Sequence, residues 1–295
     1  EIEIVGEGID VQFLQPGDVR PRLFRIPRVL VSIDENRVAV DGSIRLPGDL
    51  GRQIEVSATQ LLGVEPEQRS WDIALEASDV LLDGWAQMHE ALRGRLLSGE
   101  GDINLSLAFG AAGVRGATAE VDLVDVVLDG DEAFEIAGRL EFDRSAEGWL
   151  VAAEEFLLAT TDHTWPESSL RAEAGIDADG KIAMLDIRAS YLNLADSRLI
   201  LPLLPENRQQ QLAELDPSGE LRDVVATVSN LDDDTPDFHV EADLDSVGFE
   251  PTGKLPGIRG FTGYVNGNRA GGRLEMRSTN LDIELPQFMS RPTDL

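Results

Sequence analysis

Apolar and polar residues alternate with a period of two along most of the chain, the pattern of strands with one dry and one wet face. Ile2 and Ile4 begin it, and Ile9, Val11 and Phe13 continue it around Gly6 and Gly8. Val29, Val31 and Ile33 make one face of a next strand, and Val38, Val40, Ile44 and Leu46 one face of another. Asp34-Glu35-Asn36 between them predicts a hairpin, and Pro16-Gly17-Asp18 and Pro47-Gly48 predict turns. Later, Ile103, Leu105, Leu107 and Phe109 alternate with Asp102, Asn104, Ser106 and Ala108. Phe134, Ile136, Leu140 and Phe142 alternate with Glu135, Arg139, Glu141 and Asp143, and Phe238, Val240, Ala242 and Leu244 with His239, Glu241, Asp243 and Asp245. Asp177-Ala178-Asp179-Gly180 predicts a second hairpin, Asp232-Asp233-Asp234 an acidic turn, and Asn280 to Leu285 a last strand.

Two stretches break the alternation. Trp85 to Leu97 reads as a helix, and Ser98-Gly99-Glu100 leads from it into a strand beginning at Asp102. Leu199 to Val228 repeats that order: an apolar run, a polar helix begun by Pro205, a stop at Asp216-Pro217, then Ser218-Gly219-Glu220 and a strand. The shared tripeptide marks a repeat. Three segments result, residues 1–98, 99–216 and 217–295, the first two each ending in a helical joint. About fifteen short strands with only two helical stretches predict an all-β, antiparallel protein. Its apolar faces imply two sheets closed as a sandwich, or one elongated, curled sheet enclosing an apolar groove.

Composition narrows the partners. The 295 residues hold 55 acidic and 25 basic side chains, a formal charge of -30 distributed along the whole length. Such a field repels nucleic acid and anionic head groups. No cysteine is present, so thiol and disulfide chemistry are excluded. No run approaches the roughly 20 apolar residues of a membrane span, no signal peptide opens the chain, and the sequence reads as a piece of something longer.

Catalytic signatures do not appear. His89, His163 and His239 lack the spacing of a zinc site. No nucleophile elbow, phosphate-binding loop or dinucleotide fingerprint occurs. Asp177-x-Asp179-Gly180 starts like a calcium loop, but the later ligands are missing, and a hairpin turn accounts for it. No metal or cofactor is expected, and no enzyme activity. Trp71, Trp85, Trp149 and Trp165 are scattered, so no aromatic platform is indicated.

Three stretches carry a family resemblance: Leu23 to Ala58, Leu201 to Val228, and Phe249 to Pro286, the last containing LPGIRGFTGYVNGNRAGGRLEMRSTNLDIELP. Together they resemble the YhdP branch of the AsmA-like proteins. The resemblance implies a periplasmic segment of a long Gram-negative envelope protein, anchored in the inner membrane by parts of the chain lying outside this sequence. It also implies phospholipid as the partner, moved between inner and outer membrane along a curled sheet.

The expected lipid-groove residues are Ile103, Leu105, Leu107, Phe109, Phe134, Ile136, Leu140, Phe142, Phe238, Val240, Leu244, Leu281, Ile283 and Leu285. They are mostly aliphatic, which suits acyl chains: each buried methylene is worth about 0.8 kcal/mol, so a sixteen-carbon chain would gain on the order of 10 kcal/mol. The competing reading is a closed β-sandwich scaffold or adhesin-like module that binds partner proteins by its edges.

Overall fold

The computed structural model describes residues 2–15, 21–62, 69–90, 92–111, 113–128, 132–177, 179–200, 206–231, 236–252 and 256–284. The turns expected at Pro16-Gly17-Asp18 and Asp232-Asp233-Asp234, the helix start at Pro205 and the groove residue Leu285 lie outside them. The chain divides into two compact units, Glu1–Thr164 and Trp165–Leu295.

The first unit is a meander of nine strands: β1 (Ile2–Phe13), β2 (Arg22–Ile33), β3 (Arg37–Arg45), β4 (Gln53–Leu61), β5 (Ser70–Leu81), β6 (Leu96–Gly110), β7 (Gly113–Leu128), β8 (Phe134–Arg144) and β9 (Gly148–Ala159). Each pairs antiparallel with the next. Helix α1 (Leu82–Met88) interrupts the run between β5 and β6. The second unit holds β10 (Ser168–Ile176), β11 (Ile182–Asn193), β12 (Ser218–Ser229), β13 (Asp237–Phe249), β14 (Gly257–Asn268), β15 (Gly271–Met276) and β16 (Asp282–Glu284). These too pair in chain order, except that β15 and β16 both pair with β14. A 3₁₀ turn (Leu194–Asp196), α2 (Ser197–Ile200) and α3 (Glu206–Leu215) separate β11 from β12.

Each unit is therefore all-β and antiparallel, its sheet curled but not closed. Within each unit, the described strands hydrogen-bond to their ladder neighbours in a single sheet. The open alternative stands and the sandwich falls.

Both hairpins read from sequence form, and both use an aspartate to hold the turn. Asp34 Oδ1 accepts from the amides of Asn36 and Arg37, each at 2.8 Å. Asp177 Oδ1 accepts from Asp179 at 2.8 Å and Lys181 at 2.9 Å. These donors favour the charged form and lower both carboxyl pKa values, with Asn36 the largest influence at Asp34 and Lys181 at Asp177. The Asp177 carboxylate is thus engaged by its own turn.

The first helix differs from expectation. It spans Leu82–Met88, not Trp85 to Leu97, because Leu96 in β6 already pairs with Leu128 in β7 and Gly94 turns the chain at φ 74°. Ladder pairing outweighs the helix propensity of residues 92–97. Ser98-Gly99-Glu100 consequently lies inside β6, not before it. The repeat it suggested has a geometric counterpart. Ser98 pairs with Val127 and Glu100 with Val124, straddling Asp125 at φ 51°. Ser218 pairs with Gly248 and Glu220 with Asp245, straddling Ser246 at φ 53°. The same tripeptide faces the same backbone irregularity in both units.

Helix α1 covers one end of the first unit's apolar face. Leu50 and Ala86 are fully buried, with Val80 and Val126 nearly so. Trp85 Nε1 donates to the Leu50 carbonyl at 2.8 Å. Gly84 sits so close to the loop that a Cβ there would lie 1.7 Å from the Asp49 oxygen. In the second unit, Ala189, Val224 and Ala242 form the buried cluster, flanked by Leu170, Leu192, Leu221, Leu244 and Val265. Beside it Trp165 Nε1 donates to Asp196 Oδ2 at 2.6 Å, and the Trp165 and Tyr191 rings meet edge-on at 5.3 Å. That contact ties the 3₁₀ turn to the sheet.

Candidate functional site

Directly opposed residues of an antiparallel ladder share a face, so the register shows which side chains come together. One row runs Ile4, Val31, Val40, Ala58, Ile73, Leu107, Ala117, Phe142, Val151, one residue from each of the nine strands of the first unit. The next row on that face contains Val29, Val56, Leu75, Leu105, Ala119, Leu140 and Ala153. A third contains Ile44, Ile54, Ala77, Ile103 and Val121. Of the expected groove residues, Ile103, Leu105, Leu107, Ile136, Leu140 and Phe142 therefore lie on one continuous apolar face. Phe109 is at its edge, opposite Trp71 and 45% exposed; Phe134, opposite Val126, is buried near the α1 end.

Five strands, β5, β7, β9, β12 and β13, keep their apolar face through a bulge. Asp79, Asp125, Glu155, Asp223 and Ser246 all have φ between 50° and 53°, and each lies where the register shifts by one. Two residues then oppose one. Ala77 faces Ile103 and Val80 faces Gly101, so residues three apart stay on one side. Leu123 and Val126 do the same against Ile136 and Phe134, and Leu244 and Val247 against Gly263 and Phe261. Side chains of the opposing strand accept from the amides of two of these bulge residues: the Asp79 amide donates to Asp102 Oδ1 and the Ser246 amide to Thr262 Oγ1, each at 3.0 Å. Strict alternation misses these residues. Their signal is an apolar spacing that stretches from two to three around Asp, Glu or Ser.

In the second unit, Val240 opposes Ala226 and Gly267, Phe238 opposes Val228, and Leu244 opposes Leu221 and Gly263. Ile283 pairs with Ile258 at 48% exposure, while Leu281 is half-buried just before β16. The acidic set lies on the other faces: Glu141, Asp143 and Asp245 are exposed, and Glu241 and Asp243 are intermediate. Tyr264 Oη donates to Glu241 at 2.6 Å, which raises the Tyr264 pKa, and Arg277 reaches Asp243 at 2.6 Å.

The polar face of the first unit places carboxylates opposite one another at Glu55–Glu76 and Asp102–Asp122. Over its small residues Ala74, Ala108 and Gly116 is an open hollow of about 470 Å³, bordered by Ser57, Asp72, Thr118 and Glu141. The apolar face, in contrast, presents aliphatic side chains half-covered by their neighbours. Such a surface can hold hydrocarbon by area alone, without hydrogen bonds to direct it.

These features define an amphipathic open meander, one side aliphatic and the other acidic. The chain belongs to the YhdP protein family of AsmA-like proteins: the family model matches residues 9–295. No curated protein and no solved structure matches it. No described helix is long and apolar enough to cross a membrane.

Proposed function

We propose that this chain is a lipid-binding segment that takes phospholipid acyl chains along its apolar face and helps move lipid between the inner and outer membranes. The observation that carries this reading is the row from Ile4 to Val151, apolar in every one of nine successive strands, with Ile4 54% and Val151 45% exposed at its two ends. A path made of repeated aliphatic rows offers an acyl chain nearly equal stations, which permits sliding as well as binding. Its role is non-enzymatic, and its place is the periplasm, as part of an inner-membrane-anchored protein. Across the segments 1–98, 99–216 and 217–295 the chain is two similar sheet modules, each entered through a helical joint, a reading supported by the matched Ser-Gly-Glu geometry.

The test is photocrosslinking of a diazirine-bearing phospholipid to protein carrying Leu105→Asp or Val240→Asp, with Thr118→Asp on the opposite face as control. Capture by wild type and Thr118→Asp, with loss in the apolar-face variants that still fold, supports the reading. Equal capture by all four, or none by wild type, overturns it.

A further inference from the structure

Where α3 meets the sheet of the second unit, a cavity of about 200 Å³ opens between the 3₁₀ turn, the end of α3 and the strands β12 to β14. That is below the roughly 300–1,000 Å³ of a pocket enclosing a whole drug-sized ligand, so it fits a small polar group. Its wall is of two kinds. Leu212, Pro217 and Phe249 supply apolar surface, while Arg198 and Arg259 face the same space as Asp216 and Glu250. Two guanidinium groups and two carboxylates balance, in a chain whose formal charge is -30.

Within this set Glu250 and Arg259 are already paired at 2.7 Å, which fixes both groups. The Glu250 amide donates to the Leu215 carbonyl at 2.8 Å and ties this strand end to the C-terminal end of α3. Arg198 is exposed and has no carboxylate partner among the described residues. A guanidinium presents a planar fork of donors suited to phosphate oxygens. Ser197 and Ser218 line the same cavity. An anion alone would meet two carboxylates as well as the field of the whole chain; a cation alone would meet two guanidiniums. With Glu250 and Arg259 already paired, a group carrying both charges can meet Arg198 with its anion and the carboxylate side with its cation.

We propose that this cavity seats the zwitterionic headgroup of a phospholipid, with phosphate on Arg198 and the ammonium on Asp216 and Glu250. Leu212 and Phe249 receive the first carbons beyond the glycerol. The inference rests on the lipid-binding reading and adds headgroup selection to it: zwitterionic lipids are taken in preference to anionic ones of the same chain length.

The experiment is NMR titration of the full chain with dihexanoyl phosphatidylethanolamine, dihexanoyl phosphatidylglycerol and soluble glycerophosphoethanolamine, below micelle concentrations. The expected result is at least fivefold tighter binding of the ethanolamine lipid than the glycerol lipid, with shifts at Arg198 and Asp216. Arg198→Gln should abolish that preference and Arg198→Lys restore most of it. Glycerophosphoethanolamine should bind more weakly than the lipid. If it binds as tightly, the site takes a free phosphodiester and the lipid assignment is wrong. Lipids bound without headgroup preference, or a preference unchanged in Arg198→Gln, would overturn the headgroup seat while leaving the apolar face as proposed. No binding of either lipid, together with no photocrosslinking, would end both.

Discussion

Ser98 donates its hydroxyl to the carbonyl of Asp125 at 2.8 Å, joining the head of a Ser-Gly-Glu tripeptide to a residue held at φ 51° in the adjacent strand. The bulge residue is thereby held from the side. A left-handed conformation costs a residue with a Cβ about 1–2 kcal/mol relative to glycine, and β-branching makes it worse. Asp125→Val should therefore be less stable than Asp125→Gly by at least that amount. Urea unfolding of the two variants measures the difference; equal midpoints would mean that the bulge can be ironed out at no cost.

Two glycines are predicted to resist even a methyl group. At Gly84 a Cβ would stand 1.7 Å from the Asp49 oxygen, and at Gly101, where φ is 153°, 2.0 Å from the Asp122 oxygen. Both obstacles are backbone and cannot rotate away. Gly84→Ala and Gly101→Ala should each cost about 1–3 kcal/mol, as overpacked sites do. Gly180→Ala meets no neighbouring atom within 4 Å and bears only its φ of 80°, so its midpoint should fall less.

Charge placed on the apolar side should reveal how thinly it is covered. Val126 is 5% exposed, whereas Leu105 is only half-buried by its neighbours. Val126→Asp should lose several kcal/mol, because its carboxylate has no water to meet, while Leu105→Asp should remain folded with a modest fall in melting temperature. Comparable losses from both would imply a covering layer over Leu105.

The alternating strands were legible because each shows one apolar face, and Ile103–Leu107 of β6 and Leu140–Phe142 of β8 do share it across β7. The hairpins were legible because Asp34 and Asp177 have the short side chains that bond their own turns. The bulges were not, since period-two reading treats Asp79 or Asp125 as one more outward residue and passes over the slip in register. The first helix was misplaced because Leu92, Leu96 and Leu97 look helical in isolation, while the pairing of Leu96 with Leu128 depends on a strand some thirty positions further along. The joint cavity had no sequence signal: Arg198, Asp216, Glu250 and Arg259 meet only through the fold.

Both tyrosines should ionise late. Burial, reinforced by Glu220, pushes Tyr191 up to about 12, and the hydrogen bond to Glu241 raises Tyr264 above its usual 10.0. The unfolded chain binds fewer protons than the folded one once the pH passes 10, so stability is fully present below that value and is lost as pH rises towards the folded pKa. Spectrophotometric titration of native and urea-unfolded protein should show the native curve displaced to higher pH. Superimposed curves would refute both assignments.

The acid limb has the opposite sign. Asp34 and Asp177 are depressed below 3.8 by the amides they accept from, so their contribution is present above the ordinary carboxyl pKa and fades as pH falls through the lower folded value. Asp177→Asn should flatten the stability profile below about pH 4. A profile parallel to wild type in that range would show the turn carboxylate to be uncoupled from folding.

A sheet whose strands pair in chain order contains no crossover that must be threaded through the rest. Each hairpin completes itself on the one before it, so an added or deleted pair of strands would change the run of the ladder by two strand spacings, about 4.8 Å each, without rewiring any connection. Length in such a protein is an adjustable dimension, open to tuning by duplication of hairpins. The Ser-Gly-Glu entrance, present with the same register in both units, has the form of a seam left by that kind of growth.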